Sequence, residues 1–249
     1  MSLSGRRALV TGGGRGIGRA IAQRLAADGA HVVVAGRTTT EVEQAARDVG
    51  GTPLVLDVTD RAAIAGLHDE IGTIDVLVNN AGIAGSAPFD RTTDDAWDQM
   101  LAVNVTSAFL LSRALVPPMV KAGWGRVVNV ASNAGLTGYA YTVAYCASKH
   151  AMVGLTRALA IEVARSGVTV NAVCPGWVDT RMTEEAVARI AKKTGRSAEE
   201  AKRSLEGMSP QGRLVSPEEV AHAVASLCAE AARAIHGQAI VVDGGQVMK

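Results

Sequence analysis

The chain has 249 residues, 48% hydrophobic and 20% charged, and its 25 basic and 24 acidic side chains leave a formal net charge of +1. That composition excludes a disordered chain and provides no whole-molecule field that would draw it to nucleic acid or an anionic membrane. The three cysteines, Cys146, Cys174 and Cys228, have no C-x-x-C spacing, which argues against a disulfide framework or a zinc site and for a reducing, cytoplasmic setting. Ahead of the first glycines the apolar run is too short for a signal-peptide core or a membrane span.

Short apolar runs at 8–11, 32–35, 54–58, 74–78, 126–131, 168–174 and 239–242 predict buried strands. Helical spacing at 16–28, 40–49, 60–71, 94–121, 143–166 and 216–229 predicts the helices between them. Alternation of this kind, with no Pro/Ser/Gly linker to divide it, predicts one α/β domain over 1–249. Its core is a doubly wound parallel sheet, a Rossmann fold of about seven strands with helices on both faces. Only 177–211 breaks the rhythm: two helix-like pieces, 183–193 and 197–206, follow each other without a strand, as in an inserted substrate lid.

The first strand runs into Thr11-Gly12-Gly13-Gly14-Arg15-Gly16-Ile17-Gly18 and then directly into a helix. Gly12 suits a tight turn, Gly16 close approach of the backbone to a pyrophosphate, and Gly18 close packing of helix on strand. The helix start supplies unpaired N–H groups to the anion. About twenty residues on, where a carboxylate would hold the ribose 2′-hydroxyl of NAD, the second strand ends in Gly36-Arg37. Arg37, with Arg15 beside it, offers donors to a 2′-phosphate, so NADP(H) is the expected cofactor.

Tyr145-Cys146-Ala147-Ser148-Lys149 opens a helical segment, so Tyr145 and Lys149 share a face. A phenol titrating near 10 is a poor acid-base group at neutral pH, and an ammonium beside it lowers that value. Ser132, thirteen positions earlier at a strand end, has a hydroxyl able to donate to the same carbonyl oxygen, although strand-end serines also serve simply as turn formers.

With these residues assembled, the chain resembles the single-domain short-chain dehydrogenases/reductases from about residue 5 to 246. The glycine loop, Asn79-Asn80-Ala81-Gly82 and Tyr145-x-x-Ser-Lys149 match three family motifs in order. The resemblance implies a catalytic set of Asn104, Ser132, Tyr145 and Lys149. Tyr145 would exchange the proton, Lys149 would hold the nicotinamide ribose and Asn104 would keep a relay water. It also implies cofactor contacts at Gly12, Arg15, Gly16, Ile17, Gly18, Arg37, Asp57, Val58, Asn80, Ala81, Gly82, Tyr145 and Lys149. Further cofactor contacts are implied at Pro175, Gly176, Val178 and Thr180, where the Pro-Gly segment wraps the carboxamide. No metal is required, and His150 reads as a helix-surface residue.

The resemblance is nearest in kind to 3-oxoacyl-[acyl-carrier-protein] reductases, polyketide ketoreductases and 3-hydroxybutyrate dehydrogenases. It implies a ketone or acyl thioester substrate, on coenzyme A or a carrier protein or free, in a pocket lined by Ser132, Val143, Tyr145, Trp177 and Met182. Arg126 and Arg165 are the candidates for docking a carrier protein. Family tetramers pair the helices here read at 94–121 and 143–166 and bury Ile240 to Val242, so a homotetramer is expected. Two other readings stay open: an NAD-dependent secondary-alcohol or 3-hydroxyacid dehydrogenase, and a non-catalytic dinucleotide sensor. Arg37 argues against the former and the intact set of four against the latter.

Overall fold

Period-two alternation within the strands sorts their apolar side chains onto the two faces of one sheet. The computed structural model describes residues 2–248. Its strands are β1 (Arg7–Thr11), β2 (His31–Gly36), β3 (Thr52–Val55), β4 (Val76–Asn79), β5 (Gly125–Val130), β6 (Val168–Pro175) and β7 (Ala239–Val242). They pair in the order β3-β2-β1-β4-β5-β6-β7, every pair parallel, with Val10 in register with both Val34 and Val78. The helices are α1 (Gly16–Ala27), α2 (Thr39–Asp48), α3 (Arg61–Ala65), α4 (Leu67–Ile71), α5 (Asp94–Leu101), α6 (Ser107–Ala122), α7 (Val143–Val163), α8 (Arg181–Thr194), α9 (Ala198–Glu206) and α10 (Pro217–Cys228).

Ala8, Val10, Val32, Val34, Val76 and Val78 enter one core with Ile21 and Leu25 of α1, Val42 of α2 and Val220 and Val224 of α10. Their neighbours Leu9, Val33 and Leu77 enter the other, against Ile64, Leu67, Leu111, Leu115 and Met119 from α3, α4 and α6. The inner strands are thus covered on both faces, which is why their runs read as continuously apolar, whereas the edge strands β3 and β7 are partly exposed. Local signals start the helices: Asp60 caps α3 by accepting from the N–H groups of Ala62 and Ala63, and Ser216 with Glu219 forms a capping box before Pro217 of α10.

The doubly wound parallel sheet expected from the sequence is the one observed, with three local differences. The helix read at 60–71 is two short helices that meet at Gly66, a poor helix former. The helix read at 94–121 is interrupted by a π-helical turn, Ala102–Thr106, which inserts an extra residue that the continuous apolar pattern does not reveal. The third strand ends at Val55, so Leu56, Asp57 and Val58 lie beyond it. By length and composition Asp94–Ala122 could cross a membrane, but half of its most apolar window is buried, with Leu110, Leu111, Leu115 and Met119 packed on the sheet.

The docking role expected of Arg126 does not survive. Its side chain is 1% exposed, its Nη2 donates to Glu230 Oε2 at 2.9 Å and its guanidinium lies 4.3 Å from the Trp124 ring centroid. Trp124 Nε1 donates to the same Glu230 oxygen at 2.9 Å, so the arginine is a buried structural cation. Arg165 is exposed, but it follows α7 and precedes β6, at the edge of the sheet where strands begin. At 1.5 Å per residue it is about 30 Å from Tyr145, at the wrong end of α7 to meet a substrate.

Packing of α1 on the sheet tests this geometry most sharply at Gly18, where a Cβ would sit 2.1 Å from Gly12 O and 2.5 Å from Asn80 Nδ2. Gly18→Ala should cost about 1–3 kcal/mol through overpacking, read as a lower urea midpoint at unchanged slope. An unchanged midpoint would show that the helix is free to move off the strand.

Candidate active site

Because all strands are parallel, their carboxyl ends share one edge, and the order reverses between β1 and β4. The glycine turn leaves β1 at that switch point. Gly12 and Gly16 have φ of 62° and 51° there, in the left-handed region that favours glycine. Arg15 is the N-cap of α1 but provides no side-chain cap, which leaves the first N–H groups of the helix facing outward. Asn80 ties the turn down: its Nδ2 donates to Thr11 O at 2.8 Å, while Thr11 Oγ1 accepts from the N–H groups of Asn80 and Ala81 at 3.0 Å each. A Cβ on Gly16 would come within 3.4 Å of Thr180 Cγ2, so the Pro-Gly segment stands across the turn from α1.

Four side chains converge beside this turn. Lys149 is 4% exposed, its Nζ donates to Val130 O at 2.9 Å and stands 5.8 Å from the centroid of the Tyr145 ring. Gly82 makes room for it, since a Cβ there would meet Asn104 Oδ1 at 3.3 Å and Lys149 Nζ at 3.7 Å. Asn104 is fully buried in the π-helical turn: its Oδ1 accepts from Ile83 N at 2.9 Å and its Nδ2 donates to Ile83 O and to Ser148 Oγ at 3.0 Å each. Ser132 Oγ accepts from Ala134 N at 3.1 Å. Gly135, in the same short turn, would press a Cβ to 2.6 Å from Lys149 O, so the turn lies flat on α7.

Burial raises the Tyr145 phenol above its ordinary 10.0, opposed by the Ser132 hydroxyl, so the phenol stays protonated at neutral pH. Burial also lowers Lys149 from 10.5 to about 8. The ammonium is therefore largely charged at pH 7, but its charge is held at a cost. Cys174, behind the same side chains, is pushed up to about 11 by burial and stays a neutral thiol.

A protein-family model described as short chain dehydrogenase matches residues 6–191. The chain is 40% identical to D-beta-hydroxybutyrate dehydrogenase of Cupriavidus necator over 98% of this chain and 99% of that one. It is 37% identical to the 3-oxoacyl-[acyl-carrier-protein] reductase of Salmonella typhimurium, with both chains covered in full. The chain is a short-chain dehydrogenase. Among solved structures, a single-substitution variant of actinorhodin polyketide ketoreductase with NADPH superimposes with a TM-score of 0.92 at 37% identity, covering 99% of each chain. This short-chain dehydrogenase is accordingly an oxidoreductase acting between CH–OH and C=O, and its relatives include all three kinds of enzyme that the sequence resembles.

The remaining expected site residues divide by exposure. Ile17 is half-buried against α1's core and Arg37 is exposed at the end of β2, where it makes no side-chain hydrogen bond or ion pair among the described residues. Asp57 is exposed, and its carboxyl is lowered by Thr59's two donors, then by the field of Arg37. Val58 is 6% exposed with its side chain in the core, so only its backbone can face a ligand. Pro175 and Val178 are buried, Gly176, Trp177 and Thr180 half-buried, and Val143 and Met182 exposed at the rim. His150 is on the outer face of α7 with its Nδ1 against Cys146 O. Sequence reasoning missed Ser148 as the partner of Asn104 and Val130 O as that of Lys149; the Tyr-x-x-Ser-Lys spacing contained the first signal.

Lys149 also sets a pH dependence of stability that the dehydrogenase should show. Its folded value lies below its unfolded one, so it destabilises the fold below about pH 8 and releases that cost as pH rises toward 10.5. Lys149→Met should therefore be more stable than wild type at pH 7, by up to about 3 kcal/mol, and lose the advantage toward pH 10. A difference independent of pH, in urea melts across that range, would show that the ammonium is not penalised by burial.

Proposed function

We propose that this chain reduces a ketone, a 3-oxoacyl thioester or a related apolar ketone, to a secondary alcohol with NADPH. The observation that carries the reading is the trio of a protonated, half-buried Tyr145 and a charged, buried Lys149 on α7 with the buried Ser132 hydroxyl, gathered at the carboxyl end of β5. The uncapped start of α1 and the left-handed Gly12 and Gly16 fit a dinucleotide pyrophosphate, with Ile17, Asn80, Ala81 and Gly82 along its path. Bound there, the cofactor supplies hydride to the carbonyl carbon. Tyr145 gives its phenolic proton to the carbonyl oxygen, and Ser132 donates a hydrogen bond to the same oxygen. Lys149 stabilises the developing phenolate. Asn104 holds the Ser148 hydroxyl on α7 and, with its π-helical turn, keeps a relay water near Lys149.

Segment 177–211 acts as the lid, and the exposed side chains of Val143 and Met182, with the half-buried Trp177, offer apolar surface to a substituent of the ketone. The chain works in the cytoplasm as a homotetramer, which is consistent with Ile161 of α7 at 80% exposure and the half-exposed edge strand β7.

Arg37, with no carboxylate in its place, supports the phosphorylated cofactor. One observation favours NAD(H) instead: Glu41 Oε1 lies 3.4 Å from Arg15 Nη1 and could turn the second arginine away from a 2′-phosphate. Arg37→Ala should raise KM for NADPH about tenfold or more and leave KM for NADH nearly unchanged, in steady-state assays on one ketone. A lower KM for NADH than for NADPH in wild type would establish the second reading.

Tyr145→Phe should lower kcat at least about 100-fold while dinucleotide binding, followed by fluorescence, is retained. Unchanged turnover would remove Tyr145 from the mechanism. Because Lys149 loses its proton above about pH 8, kcat/KM for reduction should fall as pH rises through that value. A profile flat to pH 9 would remove the ammonium.

A further inference from the structure

The residues that follow β7 reach two parts of the site at once. Asp243 is 3% exposed; its Oδ1 accepts from the N–H groups of Gly245 and Gln246 at 3.0 Å each, and its Oδ2 accepts from Val247 N at 2.9 Å and Asn133 Nδ2 at 3.2 Å. A carboxylate with four donors is a rigid anchor. Gln246 Oε1 accepts from the same Asn133 Nδ2 at 3.1 Å, and Gln246 Nε2 donates to the Tyr139 hydroxyl at 2.9 Å. Asn133 adjoins Ser132, and Tyr139 lies in the stretch that leads to Tyr145.

The opposite side of the same turn touches the end of segment 177–211. Gly244 and Gly245 have φ of 68° and 88°; a Cβ on Gly244 would lie 2.3 Å from Ser209 Oγ, and one on Gly245 3.6 Å from Pro210 Cγ. Ser209 Oγ donates to Gly244 O at 3.4 Å. Gly176 is equally tight, since its Cβ would lie 2.7 Å from that of Asp243. The turn is therefore wedged between the base of the proposed lid, the Pro-Gly segment and the stretch between Ser132 and Tyr145.

We propose that the Asp243–Gln246 turn is a positioning device for the reaction, holding Asn133 and Tyr139 so that the Ser132 hydroxyl stays set against Tyr145 and the lid closes over a fixed point. None of its residues touches the reacting atoms, so they act through Asn133, Tyr139 and the base of the lid. The catalytic consequence rests on the ketone-reductase reading, whereas the mechanical one does not. Ala134 N–H reports it directly, because that amide donates to Ser132 Oγ at 3.1 Å.

Gln246→Ala, Asn133→Ala and the double variant form the test, with Tyr139→Phe replacing Asn133→Ala in the cycle if that variant does not fold. In Gln246→Ala the Ala134 amide should exchange with solvent about tenfold faster, and kcat on the best ketone should fall about tenfold or more with KM for NADPH within about twofold. The double variant should lose no more than the worse single one, since both act along one path. Unchanged Ala134 exchange, an unchanged kcat, losses that multiply in the double variant, or a loss confined to KM for NADPH would each overturn the proposal. A wild-type protein that turns over no ketone with either cofactor would count against the reductase reading, and Ala134 exchange would still decide whether the turn holds Ser132.

Discussion

Parallel pairing is the constraint on which the site depends. Because β1, β4, β5 and β6 all run the same way, the glycine turn, the Asn80–Gly82 segment, Ser132 and the Pro-Gly segment emerge at one edge without any of them being near another in sequence. A parallel strand pair requires a crossover, and the crossovers are the helices that cover both faces and exclude water from beneath the edge. Lys149 exists in that dry layer. Its ammonium donates to Val130 O, and it stays near the titration point where a small change of surroundings alters its charge.

Close backbone approach is the second requirement. Gly18 against Gly12 and Gly135 against the α7 backbone leave no room for a methyl group, and Gly82 sits tightly against Asn104 and Lys149, so three separate loops come together at one edge of the sheet. The proposed chemistry therefore depends as much on side chains that are absent as on the four that converge there. Tyr145, raised by burial, suits proton donation rather than abstraction at neutral pH, which accords with reduction.

Much of this was legible in the sequence because the decisive features are local. The glycine loop and the Tyr145–Lys149 spacing are short patterns whose geometry follows from a turn and from one helical repeat, and seven apolar runs separated by helical spacing leave little choice of architecture. What was not legible involves long separations or backbone irregularity. Arg126 read as a surface cation because its partner, Glu230, lies 104 positions away. Asn104 was identified by resemblance, but the π-helical turn that buries it leaves no mark on a continuous apolar pattern. The link from Asn133 to Gln246 spans 113 positions, and its only sequence signal is the Asp-Gly-Gly after the last strand, which by itself says turn and nothing more.

The proposed proton donation by Tyr145 in the same step as hydride transfer can be tested without varying a residue. In a single turnover of enzyme loaded with NADPH and mixed with a ketone, on the pH plateau below the Lys149 transition, NADPH oxidation should be slower in D2O than in H2O. Equal rates in the two solvents would contradict a phenolic proton in flight when the carbonyl is reduced.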